Sequence, residues 1–379
     1  MKLFYVEIKK ENESMKYRAG AITLFDLNNY GNRLQNHAVV KCLEILGFEA
    51  ETIVIERNDR IRFIKNYLKA LIGKNKKTKF YKFYNFSLKY TNPHWYFCKN
   101  DVVNRTIKNR YQFFSVGSDQ VWNSKYLMSE NRNLVLQERL LAFIDSSKRM
   151  SFAASFAVQN IPENDKYIFY KELSLFKNIL VRENRGKEII EELGKKYSDF
   201  SLTANVILDP TMLLTAEYWK TLATNHIKSQ EYILEIFICK KSSLADSTIL
   251  KIKNKKNYSS INIFEENYGP EEFLELILKA KYIFTDSFHA VAFSILFEKN
   301  FMVFERSDKS QKNDSRFLTL FETLNINNRI VSNDVEANRF LETDIDYQKV
   351  RKNLEEARIK GWTYLKNIIN SMELEDKNE

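Results

Sequence analysis

Residues 20–55 read GAITLFDLNNYGNRLQNHAVVKCLEILGFEAETIVI, and the changes of rhythm inside that stretch decide the fold. GAITLF (20–25) is a short apolar run of the kind that forms a buried strand. DLNNYGN (26–32) is a polar loop. From Arg33 to Leu46, apolar Leu34, Ala38, Val39, Cys42, Leu43 and Leu46 recur at helical spacing, and Gly47 supplies a stop. ETIVI then ends a second strand at Ile55. Strand, helix, strand predicts a βαβ unit and the opening of a parallel sheet.

The same rhythm continues outward. QFFSV (112–116) leads into GSDQVWN (117–123), RMSFAA (149–154) into SFAVQN, and NILV ends just before Arg182. After ANVILDPTMLL (204–214) it starts again with EYILEIFI (231–238), INIF (261–264), YIFT (282–285) and FMVF (301–304). A chain of 379 residues and 45.0 kDa is too long for one ordinary core. The expectation is an α/β protein of two Rossmann-like domains facing a cleft. The first covers 15–200 with a basic insertion at about 57–110, and the second covers 201–344. A C-terminal helix and tail, 345–379, would pack back across both.

Composition narrows the function. With 44% hydrophobic and 28% charged residues the chain is not disordered, and 9 Gly and 4 Pro exclude collagen-like repeats. Cys42, Cys98 and Cys239 lie far apart with no CxxC pair, so neither a zinc site nor a disulfide framework is expected, and a reducing compartment fits. No apolar run approaches the ~20 residues of a membrane span. Glu7, Lys9, Lys10 and Glu11 stand where a signal peptide would need apolar residues, which predicts a cytoplasmic protein. The 59 Lys and Arg against 49 Asp and Glu leave a formal +10, a balance that favours anionic partners. The excess concentrates between Arg57 and Tyr90, where lysines and arginines alternate with Phe and Tyr and only Asp59 opposes them. No RNA-binding signature accompanies it, so nucleic acid is not expected. An anionic membrane face or a solvated helix pair are the two readings of that run.

Several loops after strands carry residues suited to chemistry, and in open parallel sheets ligands bind at those ends. TDSFH (285–289) opens a helix, so backbone N–H groups and Ser287 can hold an anion. A bound phosphate or carboxylate would keep His289 as an imidazolium able to act as a general acid. A helix cap with a satisfied buried histidine explains the same spacing. Asp119 could bind or deprotonate a hydroxyl and Trp122 could stack on a sugar, or GSDQVWN is a turn with a core tryptophan. Asn28, Asn29 and Tyr30 around Gly31 could cradle a ligand, or merely cap the helix. GxGxxG is absent, so a dinucleotide is not supported. Arg182 suits a carboxylate or phosphate in bidentate fashion, or a structural ion pair. The polar loop SDKSQKNDSR (307–316), with Ser310, Lys312, Ser315 and Arg316, could close over an anion or simply be solvated.

Taken in order, NNYGNRLQNHAV, GSDQVWN, SFAASFAV, VREN, LDPTMLL and TDSFHAVAFSILF, with NDSRF and LNINNR after them, resemble the polysaccharide pyruvyl transferase family over about residues 18–330. Ala290 and Ala157 stand where that family commonly has glycine. The resemblance implies a GT-B-like fold with the site in the cleft. It implies transfer of pyruvate from phosphoenolpyruvate to a sugar as a cyclic ketal, with no cofactor or metal. His289 would be the acid, with Asp119 beside it. Arg182, Ser287, Phe288 and Arg316 would hold phosphoenolpyruvate, and Asp26, Asn28, Asn29, Tyr30, Trp122 and Ser155 the sugar. A polyprenyl-diphosphate-linked acceptor would place the enzyme peripherally at the inner membrane face. A GT-B glycosyltransferase using a nucleotide sugar and a non-catalytic capsule-assembly scaffold are the competing readings.

Overall fold

The computed structural model describes residues 17–56, 78–97, 105–124, 132–227, 231–306 and 315–372. The N-terminal extension before Met15, residues 57–77 of the basic run, Ser310, Lys312 and the tail from 373 lie outside the described residues.

The first half contains β1 (Arg18–Ile22), α1 (Tyr30–Ile45), β2 (Glu49–Glu56), α2 (Lys79–Tyr90), β3 (Pro93–Phe97), α3 (Arg105–Arg110), β4 (Phe113–Val116), α4 (Arg132–Arg139) and β5 (Arg149–Ser151). Its five described strands are parallel, in the order β3-β2-β1-β4-β5. After α5 (Glu163–Leu173) the pair β6 (Leu180–Val181) and β7 (Asn205–Val206), separated by α6 (Asn184–Lys196), extends that edge through bridges from Ala154 to Asp119 and Val181. Two short helices, α7 (Pro210–Leu213) and α8 (Ala216–Leu222), lead into the second half.

There β8 (Tyr232–Ile236), α9 (Ser243–Lys256), β9 (Ser259–Asn262), α10 (Pro270–Lys279), β10 (Tyr282–Thr285), α11 (Phe288–Leu296), β11 (Asn300–Phe304), α12 (Ser315–Leu324) and β12 (Ile330–Val331) build a second parallel sheet, ordered β12-β11-β10-β8-β9. α13 (Asp334–Glu342) and α14 (Tyr347–Asn370) complete the described chain. Strand order reverses between β1 and β4 in one sheet and between β8 and β10 in the other. Such switch points open a crevice at the carboxyl ends of the strands. The loops after β1, β4, β8 and β10 are therefore the places for a ligand.

Helix α1 begins at Tyr30, a turn earlier than the apolar spacing predicts, because the Asn29 side chain accepts from the Asn32 N–H. It is buried on nearly every side, since it packs between its own sheet and α7, α10 and α11. The Tyr30 ring stacks on Phe273 at 5.0 Å and its hydroxyl donates to the Tyr268 carbonyl at 3.1 Å. His37 faces the Tyr90 carbonyl through Nδ1 and the Tyr218 hydroxyl through Nε2, both at 2.7 Å. A carbonyl only accepts, so Nδ1 carries the proton and Nε2 accepts from Tyr218. Burial pushes the His37 pKa down to about 4.

The described end of the basic run is spent inside the molecule. On α2, Lys82 pairs with Glu272, while Lys89 (3.2 Å) and the Tyr90 hydroxyl (2.9 Å) both reach Glu271 on α10. Helix α14 lies against α12 and α7, and Arg358 donates to the carbonyls of Met212 (2.7 Å) and Leu214 (3.0 Å).

Candidate active site

Asp209, at the start of α7, is the hub. Its Oδ1 caps the helix by accepting from the Thr211 N–H (3.0 Å) and hydroxyl (2.7 Å). Its Oδ2 accepts from Ser118 Oγ at 2.8 Å and Arg182 Nη1 at 2.9 Å, and faces His289 Nε2 at 3.6 Å. That last separation exceeds a hydrogen bond, so the imidazole feels the carboxylate without being satisfied by it. Burial alone would raise the Asp209 pKa. The His289 imidazole, Arg182 and the Thr211 donors outweigh it and hold the carboxylate well below the usual range.

His289 comes from the loop after β10, and the space for its ring comes from the other sheet. A Cβ at Gly31 would lie 2.1 Å from His289 Nδ1, so only glycine fits that first turn of α1. The neighbouring Asp286 carboxylate ties down the β8 loop by accepting from the N–H groups of Ile238 (2.7 Å) and Cys239 (3.0 Å). Ser287 is the N-cap of α11 and makes no side-chain capping bond.

Asp119 sits on the opposing switch point. Asn32 Nδ2 donates to it at 3.3 Å and Arg182 Nη2 approaches at 3.7 Å. Burial would raise its pKa, but His289, Arg182 and the Asn32 bond lower it. Arg182 itself lies among Asp209, Asp119 and Glu183, the last at 4.0 Å. Its guanidinium stands over the Phe288 ring, 4.4 Å from the centroid. Arg316 is 5.8 Å from the same ring, and burial together with repulsion from Arg182 and Arg306 lowers its pKa to about 10.

Two features mark this place as a ligand site. Arg182 Nε and Nη2, Arg316 Nε, Glu183 Oε2 and His289 Nε2 are buried and have no hydrogen-bond partner among the described residues. Such groups cost free energy unless something satisfies them. Beside them is a pocket of about 170 Å³ lined by Arg182, Phe288, Arg316, Asp209, Thr319 and Lys360. Its guanidinium and ammonium groups invite a small polyanion.

Not every residue singled out from the sequence faces this space. Trp122 is fully buried against Phe156 and Phe176, with its indole N–H on the Arg139 carbonyl, so it is core and not a sugar platform. Ser155 is equally buried and donates to Glu183 Oε1 at 2.9 Å, leaving it no face for a sugar. Tyr30 joins α1 to the second half and does not face the site. Asn29 is spent as a cap. Asp26 and Asn28 are exposed at the loop after β1, where Asp26 Oδ1 accepts from the Asn28 N–H at 2.8 Å. Conversely, Asp209, Ser118, Glu183 and Asn32 belong to this cluster although no sequence pattern singled them out, and Gly31, expected in a ligand cradle, instead makes room for the His289 ring. Asp209 and Glu183 lie inside the LDPTMLL and VREN segments, where the local pattern offers a helix cap and a structural ion pair.

Comparison with known proteins agrees with this architecture. UDP-N-acetylglucosamine 2-epimerase from Rickettsia bellii superposes with a TM-score of 0.52 at 7% identity, over 94% of this chain and 97% of that one. At that identity the likeness shows the fold alone: two Rossmann-like halves in a GT-B-like arrangement. UGT89C1 of Arabidopsis thaliana, solved with UDP-L-rhamnose, gives a TM-score of 0.48 at 10% identity over 95% and 100% of the two chains. UDP-GlcNAc 2-epimerase from Methanocaldococcus jannaschii gives 0.47 at 13% over 92% and 99%. No curated protein sequence matches. The family model for polysaccharide pyruvyl transferase matches residues 29–308, most of the chain, leaving outside it Asp26 and Asn28 of the loop after β1 and the α12 and α14 contributions to the site. The chain belongs to the polysaccharide pyruvyl transferase family.

Proposed function

We propose that the protein transfers pyruvate from phosphoenolpyruvate to two hydroxyls of one sugar, forming a cyclic ketal and releasing phosphate. The observation that carries this reading is the set of unsatisfied buried groups on Arg182 and Arg316, which line a small pocket, and on His289, which faces the pocket residue Asp209 at 3.6 Å. Phosphoenolpyruvate presents a carboxylate and a phosphate, which suit two guanidinium groups and the N–H donors at the start of α11.

In this reading His289 Nε2 delivers its proton to the methylene carbon C3 as a sugar hydroxyl oxygen bonds to C2. The C2–O bond to phosphate then breaks, and the second hydroxyl closes the ketal on C2. One hydroxyl proton restores His289 and the other leaves with phosphate. Asp119, ionised and held by Asn32, orients or accepts from the first hydroxyl. Asp209 keeps His289 and Arg182 in register. Pairing two groups through a third is the usual logic of an activated acid or base.

Asp26 and Asn28, exposed on the loop after β1, are assigned to the acceptor sugar in this reading. We further propose a hexose on a polyprenyl diphosphate as acceptor, presented at an anionic membrane surface. No helix among the described residues is long and apolar enough to cross a membrane, so contact would be peripheral.

The test is phosphate release from phosphoenolpyruvate with a panel of lipid- or diphosphate-linked galactose, mannose and glucosamine-type acceptors, beside His289→Ala. Acceptor-dependent release lost in the variant supports the reading. Silence across the panel together with turnover of a nucleotide sugar would replace it with glycosyl transfer.

A further inference from the structure

The family match ends at residue 308, yet the anion pocket does not. Arg316 and Thr319 reach it from α12, and Lys360 and Gly361 reach it from α14. Helix α14 is fixed there by several contacts. Arg358 grips the Met212 and Leu214 carbonyls, in the turn that carries Asp209. Asn353 Nδ2 donates to the Leu324 carbonyl at 2.9 Å. A Cβ at Gly361 would stand 2.8 Å from Leu213 Cδ2, so glycine allows this close approach.

We propose that Lys360, on the C-terminal helix, completes the donor site by binding the phosphate of phosphoenolpyruvate together with Arg316. This deepens the pyruvyl-transfer reading and rests on it. The pocket's lining runs from buried side chains, Arg182, Asp209 and Arg316, to the exposed Lys360. Buried Arg182 and Asp209 line one side of the pocket, and His289, the acid of this reading, stands behind Asp209 with Nε2 3.6 Å from Oδ2, so C2 and C3 belong on that side. Lys360 is exposed, and it lines the same pocket as Arg316, whose buried Nε has no partner among the described residues. Phosphate is the group that departs, so it belongs at the end that meets solvent. An ammonium there supplies charge without burying it, and a flexible stem lets the product go.

Lys360 is a surface residue, so its replacement leaves the packing intact. Phosphoenolpyruvate and inorganic phosphate binding to the full chain, titrated by calorimetry without any acceptor, reads the site directly. Lys360→Ala should weaken both ligands roughly tenfold at low salt, the scale of one charge acting on a dianion through water-like dielectric. Lys360→Arg should restore binding, Lys360→Glu should weaken it further, and the differences should shrink in about 1 M salt. Unchanged affinity in Lys360→Ala, with wild type binding normally, would overturn the assignment. Wild type that binds neither ligand would overturn the functional reading and the assignment together. The two failures are therefore told apart by the wild-type titration.

Discussion

Replacing Asp209 by Asn removes one buried charge and keeps the side chain's shape. An amide oxygen can still accept from Thr211, but an amide NH2 cannot accept from Ser118 or Arg182 as Oδ2 does at 2.8 and 2.9 Å. Arg182 is then left buried with Asp119 at 3.7 Å and Glu183 at 4.0 Å as its carboxylate neighbours among the described residues. Breaking a buried pair costs about 3–5 kcal/mol, and two remaining carboxylates place this loss near the lower end, about 3 kcal/mol at pH 7. The pH dependence has a definite sign. Asp209 is depressed in the folded state, so its contribution is complete above the unfolded pKa near 3.9 and is lost as pH falls below it. Between pH 7 and pH 3 that linkage removes about 1.3 kcal/mol from wild type, while Asn has no proton to take up. The gap between the two proteins should narrow from about 3 to about 1.7 kcal/mol. Urea unfolding at both pH values, followed by the fluorescence of buried Trp122 and Trp219, measures it. A gap that stays constant down to pH 3 would refute the claim that its partners hold Asp209 ionised.

Gly31→Ala should displace the His289 ring, cost about 1–3 kcal/mol from overpacking and reduce turnover roughly a hundredfold or more; phosphate-release assays and thermal melts check both. Ala157 has φ 49°, the left-handed region that favours glycine, so Ala157→Gly should raise stability by roughly 0.5–1 kcal/mol in urea titrations. His37 is neutral when folded and its pKa falls to about 4, so stability should drop as pH falls from 6.5 toward 4, by about 3 kcal/mol. His37→Gln should flatten that limb. Sedimentation with anionic vesicles should show binding that ~0.5 M salt abolishes; salt-independent binding, or none, removes the membrane proposal.

The alternation of strand and helix was legible because each parallel strand is a short apolar run and each helix repeats at 3–4 residues. The loops were legible as a class for the same reason, since a parallel sheet puts every strand's carboxyl end on one edge. Direction within a loop was not. Asp119 and Trp122 stand three residues apart in GSDQVWN, yet one faces Arg182 and the other faces Phe156. Asp119 has φ 68°, a left-handed turn that apolar spacing does not encode. Asp209 was hidden differently. Its one oxygen does the local work that DPT announces, a helix cap, while the other meets Ser118 and Arg182 across 91 and 27 residues of sequence. Local pattern reveals the first role only.

The basic run shows why charge counts alone mislead about partners. Lys82 and Lys89 contribute to the formal +10, but they are matched by Glu272 and Glu271 across the two halves. Lys79 is held over the rings of Tyr30 (4.7 Å) and Phe264 (4.9 Å). These contacts join α2 to the second half, beside the Gly31–His289 approach that assembles the site. Charge reversal on α2, as in Lys82→Glu, should therefore act on catalysis through the fit of the two halves and not through lipid. A turnover loss that the compensating pair Lys82→Glu with Glu272→Lys restores would establish that route. A loss that the pair leaves in place, accompanied by weaker vesicle binding, would return those lysines to the membrane.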